Sequence, residues 1–213
     1  GLSRVGIRCP SHPMTQQLLD QLSFPLSAPS ANPFGYVSPT TATHVEDQLG
    51  DKIPYILDGG PCSVGIESTI VGWEKDTAMI YRMGGITREQ IESVIGTVSV
   101  AVHSSAQPQA PGQLRSHYAP RKKILLGNLV ELAQRNPSKK IGTLSFQNLA
   151  EKINAEVSCV LSPAGDVNEA ARNLFSMLRR LDHSDVDLVL AEEVPEAGLG
   201  RAINDRLRRA AAV

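Results

Sequence analysis

The sequence is poor in the residues on which several protein classes depend. Its 213 residues hold three cysteines, at positions 9, 62 and 159, odd in number and never in a Cys-x-x-Cys pair. That spacing argues against a disulfide framework or a thiolate zinc site, and it suits a reducing cytoplasm. Aromatic residues reach only 4% and the formal charge is -1, so neither base-stacking rings nor a strong basic field speaks for nucleic-acid or membrane binding. No apolar run approaches a membrane span, and Gly1-Leu-Ser-Arg lacks the basic-then-apolar layout of a signal peptide. There is no Ser-His-Asp order, metal-ligand cluster or Walker loop, so hydrolysis by a protein nucleophile has no visible machinery.

What the chain does have is two stretches of alternating strand and helix signals, and 213 residues suffice for two small cores. The first stretch reads as strand 4–8, helix 14–22 opened by Pro13, strand 24–28, helix 41–49, strand 54–57, a hairpin of 68–73 with 78–82, and helix 88–95. Thr87 and Gln90 form a capping box for that last helix, and Gly96 ends it. From 103 to 120 Pro, Gly and Ser dominate, as in an interdomain linker. The second stretch reads as strand 122–127, helix 128–135, strands 139–145 and 156–161, helix 166–181, strand 186–191 and helix 199–210. Apolar residues at 167, 170, 171, 174, 178 and 181, with Asp166 and Glu169 spaced as a capping box, predict a helix that buries one face. The fold class is therefore α/β.

Chemistry-bearing residues gather in the turns. Ala28 to Thr40 holds Ser30, Asn32, Ser38, Thr40, Gly35 and three prolines, a stiff loop with many hydrogen-bonding groups and little apolar surface. Alone it also fits an ordinary turn cluster. Asp58-Gly-Gly suits a nest for an anion or a plain tight turn. Glu67-Ser68-Thr69 puts a carboxylate and two hydroxyls at a strand's mouth, and an antiparallel hairpin would bring Arg82, able to fork onto phosphate, to the same sheet end. Arg8 sits at a strand end facing a ligand crevice, or is a solvated arginine. Arg115, His117 and Tyr118 are more than a passive tether needs. Gly198-x-Gly200 opens a helix but has Ile203 where a dinucleotide fingerprint needs glycine. Arg201, Arg206, Arg208 and Arg209 read as a solvated helix end suited to its dipole, with RNA contact the less favoured reading.

Taken in order, the 28–40 loop, Asp58-Gly59-Gly60, Gly65-Ile-Glu-Ser-Thr69, Tyr81-Arg-Met-Gly-Gly85, Ala110-Pro-Gly112 and His117-Tyr-Ala-Pro120 resemble the threonylcarbamoyl-AMP synthase family in its longer, two-domain form. The resemblance implies the C-terminal portion of a YrdC-like twisted α/β sheet over 1–102, a linker that acts as an active-site lid over 103–120, and a small Rossmann-like accessory domain over 121–213. It implies a nucleotidyl transfer: L-threonine, bicarbonate and ATP give threonylcarbamoyl-AMP and pyrophosphate, for N6-threonylcarbamoyladenosine-37 in tRNA. By matching position, Arg8, Ala28 and Ser68 belong to the threonine side. Ser30, Asn32, Ser38, Arg82 and Tyr118 belong to the ATP side, and Arg115 and His117 to the lid. No residue is assigned as catalytic or as a metal ligand, although magnesium is expected with ATP. The expected partners are the three substrates and a downstream tRNA-modifying transferase complex, without a membrane. Arg4 stands where the family carries a threonine, and the family's upstream Lys-x-Arg motif is not in the sequence, so the chain by itself is expected to be inactive. Two alternatives remain: a carbamoyl-transferring hydrogenase-maturation protein, which would bring zinc-finger cysteine pairs, and a non-catalytic RNA- or nucleotide-binding module.

Overall fold

The computed structural model describes residues 4–101, 111–112, 114, 116–148 and 153–212. Two sheets organise them. In the first, β1 (Ile70–Glu74) and β2 (Thr77–Arg82) form the expected antiparallel hairpin, with Ile70 opposite Arg82. The short β3 (Ser99–Val100) then lies parallel to β2. Three helices accompany this half: α1 (Pro13–Asp20), α2 (Ala42–Leu49) and α3 (Arg88–Ile95). Their starts follow local chemistry. Pro13 opens α1 where its missing N–H costs nothing, Thr41 Oγ1 accepts from His44 N at 3.2 Å, and Thr87 and Gln90 close both halves of a capping box.

The strands expected at 4–8, 24–28 and 54–57 are not formed. These segments pair with no strand among the described residues, and a strand is defined by its partner's ladder of hydrogen bonds. Their apolar residues consequently stay in the open: Val5 and Ile7, Phe24 and Leu26, Tyr55 and Leu57 are all exposed.

The second sheet holds β4 (Lys123–Leu126), β5 (Ile141–Ser145), β6 (Val157–Val160) and β7 (Leu188–Ala191), in the order β4-β7-β5-β6 and parallel throughout. Helices α4 (Leu129–Gln134), α5 (Val167–His183) and α6 (Gly200–Ala211) complete it. Helix α5 buries Ala170, Ala171, Leu174, Leu178 and Leu181 of the predicted stripe, leaves Val167 half-buried, and buries Phe175 in addition. Its capping differs from expectation: Asp166 accepts from Asn168 N at 2.8 Å, while Glu169 is taken by the Ser162 hydroxyl instead of closing a box. Of the glycine pair at the start of α6, Gly200 lies against the Pro195 carbonyl where no Cβ fits, while Gly198 has open space around it at φ +54°.

The main core does not stop at the second sheet. Val37, Ile66 and Tyr118 belong to the same buried cluster as α5 and α6. Arg179 of α5 is buried, donates to the carbonyls of Val37 (2.5 Å) and Ser38 (3.2 Å), and reaches Gln48 Oε1 at 2.9 Å. Gly65 lies against the α5 backbone at Ala171 and Arg172. The hydroxyl-rich loop is therefore clamped to the second unit by burial and charge-assisted bonds. No helix among the described residues is long and apolar enough to cross a membrane.

Candidate active site

Four of the residues singled out from the sequence meet at one place, where the hairpin end, the hydroxyl loop and the linker converge on α6. The hairpin register supplies the first pair. Arg82 leaves the end of β2 and folds back across the hairpin, donating to the Ser68 carbonyl from Nε at 3.1 Å and from Nη2 at 2.9 Å. A longer contact of 3.4 Å reaches Ser68 Oγ, and Nη1 lies 3.4 Å from the Pro111 carbonyl. Arg82 thus ties the linker to the strand mouth.

The next residue to Ser68 is the hub. Glu67 accepts from Ser38 Oγ at 2.6 Å on one carboxylate oxygen and from Arg206 Nε at 3.1 Å on the other. The hydroxyl loop and the last helix are joined through this one side chain.

Tyr118 closes the cluster from the linker. It is 1% exposed, and its backbone sits at φ 61°, left-handed and costly for a side chain this bulky. Packing holds it there: Phe175 lies 5.6 Å from its ring, His117 lies 4.1 Å away edge-on, and the Arg206 guanidinium stands 5.4 Å over the ring. Ala119 N donates to Gly35 O at 2.9 Å, binding linker to loop. The Tyr118 hydroxyl has no hydrogen-bond partner among the described residues although it is buried. Gly112, at φ +84°, is the only residue type that lets the chain pass there, because a Cβ would fall 2.4 Å from that hydroxyl.

The electrostatics follow the burial. Desolvation pushes the Tyr118 phenol up, helped by Glu67 and opposed by Arg206 and Arg82. Desolvation pushes His117 down, and the cations Arg209, Arg206 and Arg82 act in the same direction against Glu67. Arg82 is itself lowered by burial, with Tyr118 and Glu67 opposing. Such a cluster of guanidiniums with an unbonded donor suits an anionic ligand. Among the described residues there is no group of three or more His, Cys, Asp or Glu able to hold a metal ion.

The other expected residues lie elsewhere or act otherwise. Arg8, Ala28 and Ser30 are exposed, in segments without regular secondary structure, and no hydrogen bond among the described residues ties their side chains to the cluster. Asn32 braces its own loop, donating to the carbonyls of Pro33 and Tyr36 at 3.0 Å each. Arg4 donates to Tyr81 Oη at 2.6 Å. Asp58-Gly-Gly is an exposed turn in which Asp58 Oδ1 accepts from Gly60 N at 2.8 Å. Arg115 lies outside the described residues.

The solvated reading of the last helix holds for two arginines and fails for two. Arg201 pairs with Glu89 at 2.5 Å, and Arg208 with Glu193 and Glu196 at 2.5 and 2.6 Å, all at the surface. Arg206 and Arg209 are buried. A signal existed: Arg206 lies three residues after Ile203 and four before Ala210, on the helix's apolar face.

The chain matches two families. Residues 86–212 match the one described as "Threonylcarbamoyl-AMP synthase, C-terminal domain", and residues 1–84 the one described as "Telomere recombination". Among curated relatives it is 36% identical to the Threonylcarbamoyl-AMP synthase of Bacillus subtilis over 99% of this chain and 64% of the relative. With that of Schizosaccharomyces pombe the identity is 39%, over 100% of this chain and 58% of the relative. The crystal structure of Pyrococcus abyssi Sua5 complexed with L-threonine superposes with a TM-score of 0.87 at 35% identity, covering 96% of this chain and 63% of that one. A variant of the same archaeal protein, with a neighbouring histidine and tyrosine both replaced by alanine, gives 0.85 at 34% identity over 96% and 62%. The chain thus spans less than two thirds of the length of these relatives. With the family match running through more than half of its residues, this chain belongs to the threonylcarbamoyl-AMP synthase family.

Proposed function

We propose that the protein carrying this chain makes threonylcarbamoyl-AMP from L-threonine, bicarbonate and ATP. The observation that carries the reading is the cluster in which Ser38 and Arg206 bond Glu67, Arg82 bonds the neighbouring Ser68, and Arg206 covers the Tyr118 ring, bringing together a loop, a strand mouth, a hairpin end and a linker. In this reading the threonine amine adds to the carbon dioxide equivalent, releasing water and giving a carbamate. A carbamate oxygen then attacks the α-phosphorus and pyrophosphate leaves. The residues need supply only orientation and charge stabilisation. Arg82 and the Tyr118 hydroxyl face the phosphates, Ser38 and the braced Asn32 loop the nucleotide, and Ser68 the amino acid. Arg8, Ala28 and Ser30 belong to the same substrates from the open side of the cleft, and magnesium enters with ATP.

Residues 103–120 form a lid between a catalytic unit, 1–102, and an accessory unit, 121–213. A carbamate and a mixed anhydride both decompose in water, so closure by Arg115, His117 and Tyr118 protects the product. A cytoplasmic tRNA-modifying transferase complex consumes it.

Pyrophosphate release is the direct test, with each substrate omitted in turn. Release that needs both threonine and bicarbonate supports the synthase, and threonine-independent release overturns it. Arg82→Ala should weaken ATP binding by about 1.5–3 kcal/mol, the usual scale for a charged hydrogen bond, while Ser68→Ala acts on threonine. Calorimetric titrations that show both variants binding both ligands normally would remove these residues from the site.

A further inference from the structure

Helix α6 carries two arginines that point into the protein, and both reach residues of the other half. The Arg206 side chain is 0% exposed. It donates from Nε to Glu67 Oε2, from Nη1 to Asp205 Oδ2 at 3.1 Å and to Ala202 O at 3.4 Å, and it covers the Tyr118 ring. Its Nη2 has no hydrogen-bond partner among the described residues. Arg209 donates to the Leu114 carbonyl at 2.5 Å, and its own carbonyl accepts from His117 N at 3.4 Å. Taking a guanidinium fully out of water is costly, and an apolar side chain of similar volume would pack as well or better. Stability therefore does not explain Arg206. Its geometry does: a cation is placed against the carboxylate that holds a nucleotide-side hydroxyl.

We propose that Arg206 is a positioning residue for the nucleotide side, holding the Glu67 carboxylate oriented so that Ser38 commits its proton to Glu67. The hydroxyl then turns its lone pairs toward the cleft. Ser38 thereby presents an acceptor, suited to a ribose hydroxyl or to water on a phosphate-bound cation, and not to a bare phosphate oxygen, which is itself an acceptor. Arg206 also cancels the charge that Glu67 would set against a triphosphate. The accessory unit so becomes part of the nucleotide site through one side chain. The inference rests on the assignment of Ser38, Arg82 and Tyr118 to ATP.

The test measures ATP and L-threonine affinities of the protein that carries this chain by calorimetry, with amide exchange at 36–40 and 116–119 read separately. Arg206→Gln and Glu67→Gln should each weaken ATP at least tenfold, the double variant should be no weaker than either single one, and threonine affinity should stay within twofold. Arg206→Lys should recover part of the loss. Additive losses, equal loss of both ligands, or ATP affinity within twofold of the parent in Arg206→Gln would overturn the positioning role. If the parent binds no ATP, the nucleotide reading falls. The clasp is then judged by exchange alone: faster exchange of both segments in Arg206→Gln retains it, and unchanged exchange removes it.

Discussion

The segments before residue 60 and the sheet after residue 120 carry similar sequence signals with opposite outcomes. Val5/Ile7, Phe24/Leu26 and Tyr55/Leu57 alternate as strand residues should, yet all six stay exposed. In β5 and β7, Ile141 to Ser145 and Leu188 to Ala191 are buried without exception. The difference is neighbours. Strands β5 and β7 each lie between two others in a parallel sheet that helices cover, whereas the early segments meet no strand among the described residues. Alternation states which side chains want cover; only a partner supplies it.

Substitutions can break this contrast, and the largest effect belongs to the second unit. Leu174→Ala, at a site with 0% exposure, should cost about 2–5 kcal/mol, whereas Phe24→Ala, at 59% exposure, should stay within about 0.5 kcal/mol. Urea unfolding of the 213-residue chain measures both, and equal losses would dissolve the comparison.

The next effect tests the clamp between the halves. Arg179→Ala removes the donors to Val37 and Ser38 and should cost about 1.5–3 kcal/mol. Protease cleavage within 28–40 should quicken while the β4–β7 sheet stays resistant; an unchanged cleavage pattern would mean that the loop is held by something else.

A smaller loss is expected at the linker. Gly112→Ala forces a left-handed backbone on alanine, about 1–2 kcal/mol, and displaces the Tyr118 hydroxyl. ATP affinity should therefore fall by more than stability does, and a loss confined to stability would take Tyr118 out of the ligand site.

The smallest effect is a pH dependence. Burial lowers the His117 pKa in the folded state, so the unfolded chain binds the proton more readily. The stability due to neutral His117 is complete above its unfolded pKa of about 6.5 and is lost as pH falls below that value. His117→Asn should flatten the fall in Tm between pH 7 and 5, and parallel Tm curves for parent and variant would remove the histidine from the acid response.

The sequence by itself determined the elements whose causes lie within a few residues. The Thr87–Gln90 box, Pro13 at a helix start and the α5 stripe depend on neighbours three or four positions away. The Ser68–Arg82 pair, 14 residues apart, was legible because a hairpin fixes its own register. Only the tertiary structure decided that Glu67 is the hub, that Arg206 is buried against it from 139 positions away, and that Tyr118 enters the core in a left-handed backbone. The same charge pattern on α6 contains two solvated arginines and two buried ones, since exposure depends on what the rest of the chain lays over each face. Local hydrogen bonding and periodicity are properties of adjacent residues, while burial belongs to surfaces that meet only once distant segments have closed on each other.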